Sequence, residues 1–434
     1  MPLLEHPKAQ ALLADAELSD DDVAGCRDRL TAFLERYLPL FYRQEQRELA
    51  RLVVEGRLSD LERKTSEPIA RLAGRHRKPV QHFVGAGCWD DDAVLDALRQ
   101  HVAEELGDPD AVLVLDPSGF PKRGDASCGV ARQWCGRLGK VDNCQVGVFV
   151  AYAAPAGHAL IDRRLYLPRD WAADRQRRRR GHVPKDVPFQ ESWRIGLDLL
   201  QRCAALPHGW VTGDDELGRP AAFRASLRRR RERYVLDVPA NTLVRDLESP
   251  RVGRRPPPFE RADAWAARQP RSRWRRVAVR DGEKRRLAFR ALVALVQTRD
   301  EDGRVGRWER LLVLRRADGE PQTWYALSNA SQDVSLAELV RVKAERHRIE
   351  HGLQEAKGEV GLGHYEVRSW VGWHHHMTLS LLALWFLGLE RRRLGGKNPR
   401  PDAAADAGGV RAAAAGPAAQ CTADRGGGQP GAAA

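Results

Sequence analysis

The chain has 434 residues, of which 42% are hydrophobic, so it can form two or three domains with cores of their own. Its formal net charge of +13 favours a polyanionic partner, most commonly nucleic acid, with an anionic membrane surface as the competing interpretation. No apolar run reaches the roughly 18 residues of a membrane span, no signal peptide opens the chain, and the seven cysteines include no CxxC pair, which together predict a reduced cytoplasmic protein.

The N-terminal quarter has a helical pattern. Apolar residues recur at three- and four-residue spacing from about Leu30 to Leu106. Within it, Thr65 or Ser66 can cap a helix that Gly74 ends, which resembles half of a helix-turn-helix. A plain helical bundle is an equally good interpretation. We predict that residues 1–108 form a helical domain that binds DNA.

The periodicity changes at Ala111, where AVLVLD is a short, continuously apolar run that ends in Asp116. Such a run is typical of a strand buried on both faces of a sheet, and an acid at its end lies where sites collect in α/β folds. Two further runs, 144–154 and 158–168, are joined by a Pro-Ala-Gly turn and predict an antiparallel hairpin.

A second strand that ends in acid follows a basic loop at 175–180 and an amphipathic helix at 192–206. The acids are Asp214, Asp215 and Glu216. A strongly basic helix and another strand, 234–241, come next. Because strand, hairpin, helix, strand, helix and strand in this order suit a mixed sheet flanked by helices, we assign residues 109–245 to the α/β class.

The remaining chain changes character three times. Proline and arginine are dense up to residue 270 and alternating runs follow, so residues 246–327 are predicted to be a linker and a β-rich insertion. Residues 328–396 contain two helical patterns, the first starting near Leu336. Residues 397–434 contain almost no large apolar side chain and are predicted to be disordered.

The first of these C-terminal helices carries a charged stripe. On a helical wheel Arg346, Glu350 and Lys357 fall at roughly 0°, 40° and 20°, and Lys343 lies about 60° from Arg346. Glu355 points about 180° away and is a poor candidate for the same site. The spacing alone is more typical of a solvated helix whose ion pairs contribute about 0.2–0.5 kcal/mol each.

Three carboxylates are therefore candidates for one site: Asp116, Asp214 and Glu350. Asp215 and Glu216 compete with Asp214 for the second position. The three are separated by 98 (214 − 116) and 136 (350 − 214) residues, so only the fold can bring them together. A strand with an Asp, an antiparallel hairpin, a further strand with an Asp and then a helix with a Glu is the layout of the ribonuclease H-like fold. In that fold three carboxylates hold two divalent ions.

The chain resembles the DDE transposases of bacterial insertion sequences, of the insertion sequence 701 type, over roughly residues 30 to 395. The resemblance is carried by LDPSGFPKRG around Asp116, VTGDDELG around Asp214, and the stretches 129–152 and 361–377. The related group has a Y-x2-R-x3-E-x6-K signature. It falls on Lys343, Arg346, Glu350 and Lys357, with lysine in place of the tyrosine; a lysine can also contact a phosphate.

The resemblance implies a ribonuclease H-like nuclease that uses two Mg²⁺ or Mn²⁺ ions at Asp116, Asp214 and Glu350. It would hydrolyse DNA at each end of the mobile element and join the freed 3′-OH to target DNA, as a homodimer on nucleoid DNA. Phosphate contacts are expected from six cations. They are Lys343, Arg346, Lys357, Lys122, Arg132 and Lys140. The basic stretches 175–180 and 228–233 are expected to extend this DNA track.

Some residues have open interpretations. In relatives an aromatic residue of the insertion stacks on a flipped base, which makes Trp308 and Trp324 candidates, although each also suits an ordinary sheet position. His374 to His376 cannot all bind one ion from a helix, so they are interpreted as helix-capping or DNA-near residues. Two other functions stay open: a transposase remnant that only binds DNA, and a nuclease without strand transfer.

Overall fold

The computed structural model describes residue 21 and residues 24–136, 138–249, 256–281, 286–300, 302–316 and 322–395, so the predicted disordered tail lies outside the described residues. The helices that the structure describes before the first strand confirm the helical pattern. They are α1 (Cys26–Glu35), α2 (Gln44–Leu58), α3 (Ser66–Leu72), α4 (Arg77–Ala86) and α5 (Asp91–Leu106). Asp90 caps α5 by accepting hydrogen bonds from the backbone N–H groups of Asp92 and Ala93. The DNA-binding role of this segment stays a prediction.

The core of the sheet has the order β4-β3-β1-β5-β6. Its strands are β1 (Val112–Pro121), β3 (Lys140–Ala154), β4 (Gly157–Leu165), β5 (Trp210–Gly213) and β6 (Tyr234–Asp237). Strands β1, β5 and β6 are parallel, whereas β3 is antiparallel to both neighbours, and the short β2 (Ala131–Cys135) pairs with the start of β3. This mixed α/β sheet confirms the predicted ribonuclease H-like fold.

The sequence predicted that β1 ends at Asp116, but the strand runs on beyond this residue. It continues to Pro121 because β3 remains paired with it that far, Asp116 opposite Phe149. On its other side, the parallel pairing with β5 stops at Leu115 opposite Gly213. Asp116 is therefore the first residue of β1 beyond the end of β5, which opens one edge of the strand at the acid.

Helices cover the sheet. Those after β4 are α6 (Arg169–Ala173), α7 (Arg175–Arg180), α8 (Ser192–Arg202), α9 (Asp215–Gly218) and α10 (Ala221–Arg229). The arginine run that was predicted to be a loop is thus the short helix α7. Asp174 accounts for this difference, because its side chain accepts hydrogen bonds from the backbone N–H groups of Gln176 and Arg177 and so caps the helix.

The insertion extends the main sheet. It contains β7 (Leu243–Asp246), β8 (Glu260–Arg261), α11 (Ala262–Ala267), β9 (Arg275–Asp281), β10 (Arg286–Arg299), β11 (Val305–Arg316) and β12 (Thr323–Ser328). Strand β12 pairs with β6, so the twelve strands in the described part of the chain form one sheet. The expected linker is partly structured: Trp265 is buried in α11, and its indole N–H donates to Asp246 Oδ2 at 3.0 Å.

Two long helices complete the described chain, α12 (Leu336–Glu359) and α13 (Trp370–Leu394). Ser335 caps α12 by accepting from the backbone N–H of Glu338. Helix α13 is largely buried between β4 and the N-terminal helices; Phe33 meets Phe386, and Arg29 pairs with Glu390 at 2.7 Å. Among the described residues, no helix combines the length and hydrophobicity needed to cross a bilayer.

The three histidines of α13 lie in the core, so the interpretation as capping or DNA-near residues was wrong. His374 Nδ1 is 2.9 Å from the carbonyl oxygen of Trp370, and His376 Nε2 is 3.1 Å from that of Leu362. His375 stacks on Trp89 with ring centroids 3.7 Å apart. Burial lowers the pKa of each histidine, which keeps the rings neutral as packing groups.

Candidate active site

Asp116, Asp214 and Glu350 line one cleft of about 1070 Å³. Asp116 enters from β1, Asp214 from the residue after β5, and Glu350 from the middle of α12. The parallel register of β1 and β5 places the first two acids at the same edge of the sheet, and α12 packs across β1. The fold therefore brings together the three carboxylates that the sequence predicted would converge.

Asp214 is less exposed than its two acidic neighbours, Asp215 and Glu216. Its Oδ1 accepts from the backbone N–H of Leu217 at 3.1 Å, which caps α9 and fixes the carboxylate. Asp215 is 54% exposed and lies 3.7 Å from Arg219. Asp215 and Glu216 both line the cleft as well. Burial first, and then the charge of Asp116, raises the pKa of Asp214 well above its ordinary value.

Gly218 accounts for how closely α9 approaches the sheet. A Cβ atom at this position would lie 1.8 Å from the carbonyl oxygen of Asp237 on β6. Only glycine permits this contact. Because α9 begins directly after Asp214, the close approach of its last residue to β6 also holds Asp214 near the end of β5.

Arg346 connects the acids of the site. Its Nη2 lies 2.5 Å from Glu350 Oε1, its Nη1 lies 3.7 Å from Asp116 Oδ1, and its Nε lies 3.2 Å from Asp237 Oδ2. Burial raises the pKa of Asp116 to about 7, against the opposing effect of Arg346. A hydrogen bond with His347 holds the pKa of Glu350 below its ordinary value. The guanidinium thus offsets part of the charge on three acids.

Asp237 is a site residue that the sequence analysis missed. It ends β6, where YVLD repeats the signal of an apolar run that terminates in an acid. Its Oδ2 lies 3.1 Å from Lys343 Nζ, and the Lys343 side chain is only 9% exposed. Lys343 therefore faces Asp237 rather than open solvent, while its predicted phosphate contact stays a prediction.

The other predicted cations divide between the cleft and its surroundings. Lys357 lines the cleft, where its Nζ donates to Ser118 Oγ at 2.8 Å. Lys122 is mostly buried; its Nζ donates to the carbonyl oxygen of Tyr365, and burial lowers its pKa to about 8. Arg132 and Lys140 are exposed on the β2–β3 hairpin.

The aromatic residues that line the cleft are not the two tryptophans of the insertion that the sequence analysis proposed. Trp134 and Tyr166 line the cleft, and the sequence analysis singled out neither. Trp324 lines a second cavity of about 370 Å³ beside Arg346 and Glu350, whereas Trp308 lies at the surface of β11 near Arg228. The alternation in ARQWC, which places exposed Arg132 and Trp134 on one face of β2, is the signal that indicates Trp134.

The donor set fits hard divalent cations. Asp116, Asp214 and Glu350 offer only carboxylate oxygens, which Mg²⁺ and Mn²⁺ prefer. Burial is the largest cause of the raised pKa of Asp116 and of Asp214, so a bound cation would stabilise the ionised form of both carboxylates. Glu355 lies on the other side of α12 as predicted, where its Oε1 is 2.5 Å from Arg391 Nη1.

The fold and this cleft place the chain in the ribonuclease H-like class of folds. Residues 36–286, well over half of the chain, match the family described as DDE superfamily endonuclease, and the chain belongs to that family. A stretch of 96 residues is 33% identical to a protein of Microchaete diplosiphon named "Probable transposase for insertion sequence element IS701". The match spans 22% of this chain and 25% of the length of that relative. The family predicted from the motifs is confirmed.

Proposed function

We propose that the protein is a DNA transposase that cleaves the ends of an insertion sequence and joins the freed 3′ ends to target DNA. The observation that carries the proposal is the shared cleft of Asp116, Asp214 and Glu350, each on a different element of the sheet and its covering helix. The family membership and the partial match to an insertion-sequence transposase support it.

In this proposal Asp116, Asp214 and Glu350 hold two Mg²⁺ or Mn²⁺ ions. The ions, when bound, would stabilise the charge that develops on the attacking and leaving oxygens of a phosphoryl transfer. Arg346 would then exchange part of its pairing with Glu350 for a DNA phosphate while Asp237 keeps it in place. Lys357, which lies beside Ser118 in the cleft, would hold a phosphate oxygen near the carboxylates.

The path of the DNA follows from the exposed cations. Arg132 and Lys140 extend the basic surface from the cleft along the β2–β3 hairpin. Helix α7 and the end of α10 add arginines. Lys122 and Lys343 belong to the predicted set but are largely buried, so they would contact DNA only at the edge of this path. Trp324, beside Glu350, is the candidate for contact with a displaced base. Bringing two element ends together requires two active sites, so we propose a homodimer on DNA in the bacterial nucleoid.

The test uses linear DNA that carries the genomic segments on both sides of the gene, incubated with the full chain and Mg²⁺. Wild type is expected to release 3′-OH ends and to form joined products with a target plasmid. Asp116→Asn, Asp214→Asn and Glu350→Gln should bind the DNA without cleaving it. Asp215→Asn is the matched control for Asp214→Asn, because Asp215 lines the same cleft but is 54% exposed and lies beside Arg219; if Asp214 holds the second position, Asp215→Asn should remain active.

The two alternatives give different results in the same assay. Cleavage without joined products would identify a nuclease without strand transfer. Binding without cleavage by wild type would identify a transposase remnant. Equal activity of wild type and the three carboxylate variants would remove the proposed site altogether.

A further inference from the structure

The β2–β3 hairpin exposes an unusual amount of apolar surface beside the cleft. Trp134 is 59% exposed and lies opposite Val141, which is 52% exposed, and Leu138 follows at the turn. Of these three, Trp134 also lines the cleft that holds the carboxylates. A large aromatic ring on an open wall of a catalytic cleft is available to contact whatever enters it.

The hairpin that carries Trp134 is well anchored. On its opposite face Cys135, Cys144 and Val146 form a small buried cluster. Asn143 Nδ2 donates to the carbonyl oxygens of Lys122 and Gly124, both at 2.8 Å, and so ties the hairpin to the segment after β1. Trp134 is therefore presented by a fixed backbone, which lowers the entropic cost of using it as a contact.

The surroundings of Trp134 favour nucleic acid over an apolar partner. Residues alternate along β2, so Arg132 lies on the same face as Trp134 and is also exposed. Lys140 on the paired strand lies opposite Cys135, hence on the other face, where it pairs with Asp142 at 3.1 Å. An aromatic ring beside an exposed arginine is a combination that binds unpaired bases, since the ring stacks on a base while the cation contacts a phosphate.

We propose that Trp134 stacks on an unpaired base of the DNA strand that enters the carboxylate cleft, and that Arg132 contacts an adjacent phosphate. The inference rests on the proposed function in taking DNA as the ligand. Trp134 here is a positioning residue: it would hold the strand so that the phosphate beside the stacked base lies among Asp116, Asp214 and Glu350.

The experiment uses the full chain with Asp116→Asn, so that bound DNA stays intact, and duplexes with a four-nucleotide unpaired stretch that carries 2-aminopurine at successive positions. Stacking quenches this fluorophore. We expect quenching at one or two positions, lost in Trp134→Ala together with about tenfold weaker binding, and kept in Trp134→Phe. Val141→Ala, on the same hairpin but outside the cleft lining, is the matched control and should leave quenching unchanged.

Several outcomes would overturn the proposal. Unchanged quenching and affinity in Trp134→Ala would do so, as would equal losses in Trp134→Ala and Val141→Ala, or a change of oligomeric state in Trp134→Ala with quenching retained. The test is separable from that of the proposed function. If quenching depends on Trp134 but the wild-type protein never cleaves DNA, the stacking is supported and the proposed transposase function is refuted. If Trp134→Ala cleaves with the wild-type rate and KM, the stacking proposal alone is refuted.

Discussion

Lys343 Nζ lies 3.1 Å from Asp237 Oδ2, so the residue that stands in place of the signature tyrosine is paired with a buried acid at the end of β6. Arg346 contacts the same oxygen at 3.2 Å. Burial raises the pKa of Asp237 and its two cationic partners oppose that shift. The two cations and the acid form one unit that sets the position of α12 against the sheet.

Removal of Lys343 should therefore affect stability more than DNA binding. Lys343→Met leaves Asp237 with one cationic partner, and we expect a loss of about 2–4 kcal/mol in the free energy of unfolding. Asp237→Asn in the same chain should restore most of it. Urea denaturation of both variants measures this. If Lys343→Met instead keeps its stability and the salt dependence of its DNA binding falls by about one phosphate contact, Lys343 binds DNA.

Metal affinity should fall below neutral pH. The pKa of Asp116 is raised to about 7, so at pH 8 the carboxylate is ionised and at pH 6 it is mostly protonated. A proton must leave before an ion binds, and at least tenfold more Mn²⁺ should be needed for half-saturation at pH 6 than at pH 8. Titration calorimetry with Mn²⁺ checks this. Asp116→Asn should bind more weakly with a smaller pH dependence, and equal affinities for wild type at both pH values would contradict the expectation.

Gly218→Ala should displace α9. The new Cβ would overlap the carbonyl oxygen of Asp237, so the helix must move away from β6 and take its cap, Asp214, with it. We expect a loss of about 1–3 kcal/mol in stability and a loss of cleavage with DNA binding retained. Gly358→Ala on α12 is the control, because a Cβ there meets no atom within 4 Å. Normal cleavage by Gly218→Ala would show that Asp214 does not depend on this contact.

A buried acid joins the insertion to the core. Glu309 on β11 accepts from Arg224 Nε at 3.0 Å and from the Tyr234 hydroxyl at 2.6 Å. Glu309→Ala leaves Arg224 buried without its charge partner and should cost about 3–5 kcal/mol. Glu248→Ala, which breaks an exposed pair with Arg273, should cost less than about 1 kcal/mol. Thermal unfolding compares them, and similar small losses in both would show that the insertion is held by packing alone.

Local patterns predicted much of this protein. Short apolar runs that end in acid located Asp116 and Asp214, and helical spacing placed Glu350 and Arg346 on one stripe while excluding Glu355. These features depend on burial and on backbone period, which are local properties of the chain. The domain boundaries, the metal ions and the DNA contacts stay predictions.

Long-range pairing decided the rest. The extension of β1 past Asp116 depends on its partner β3, and the burial of His374 to His376 depends on helices hundreds of residues away. The pairing of Lys343 with Asp237 and the exposure of Trp134 beside the carboxylates likewise arise only when distant elements meet. Composition and periodicity carry no information about which distant side chains share a volume, because that is set by strand register and helix packing across the whole sheet.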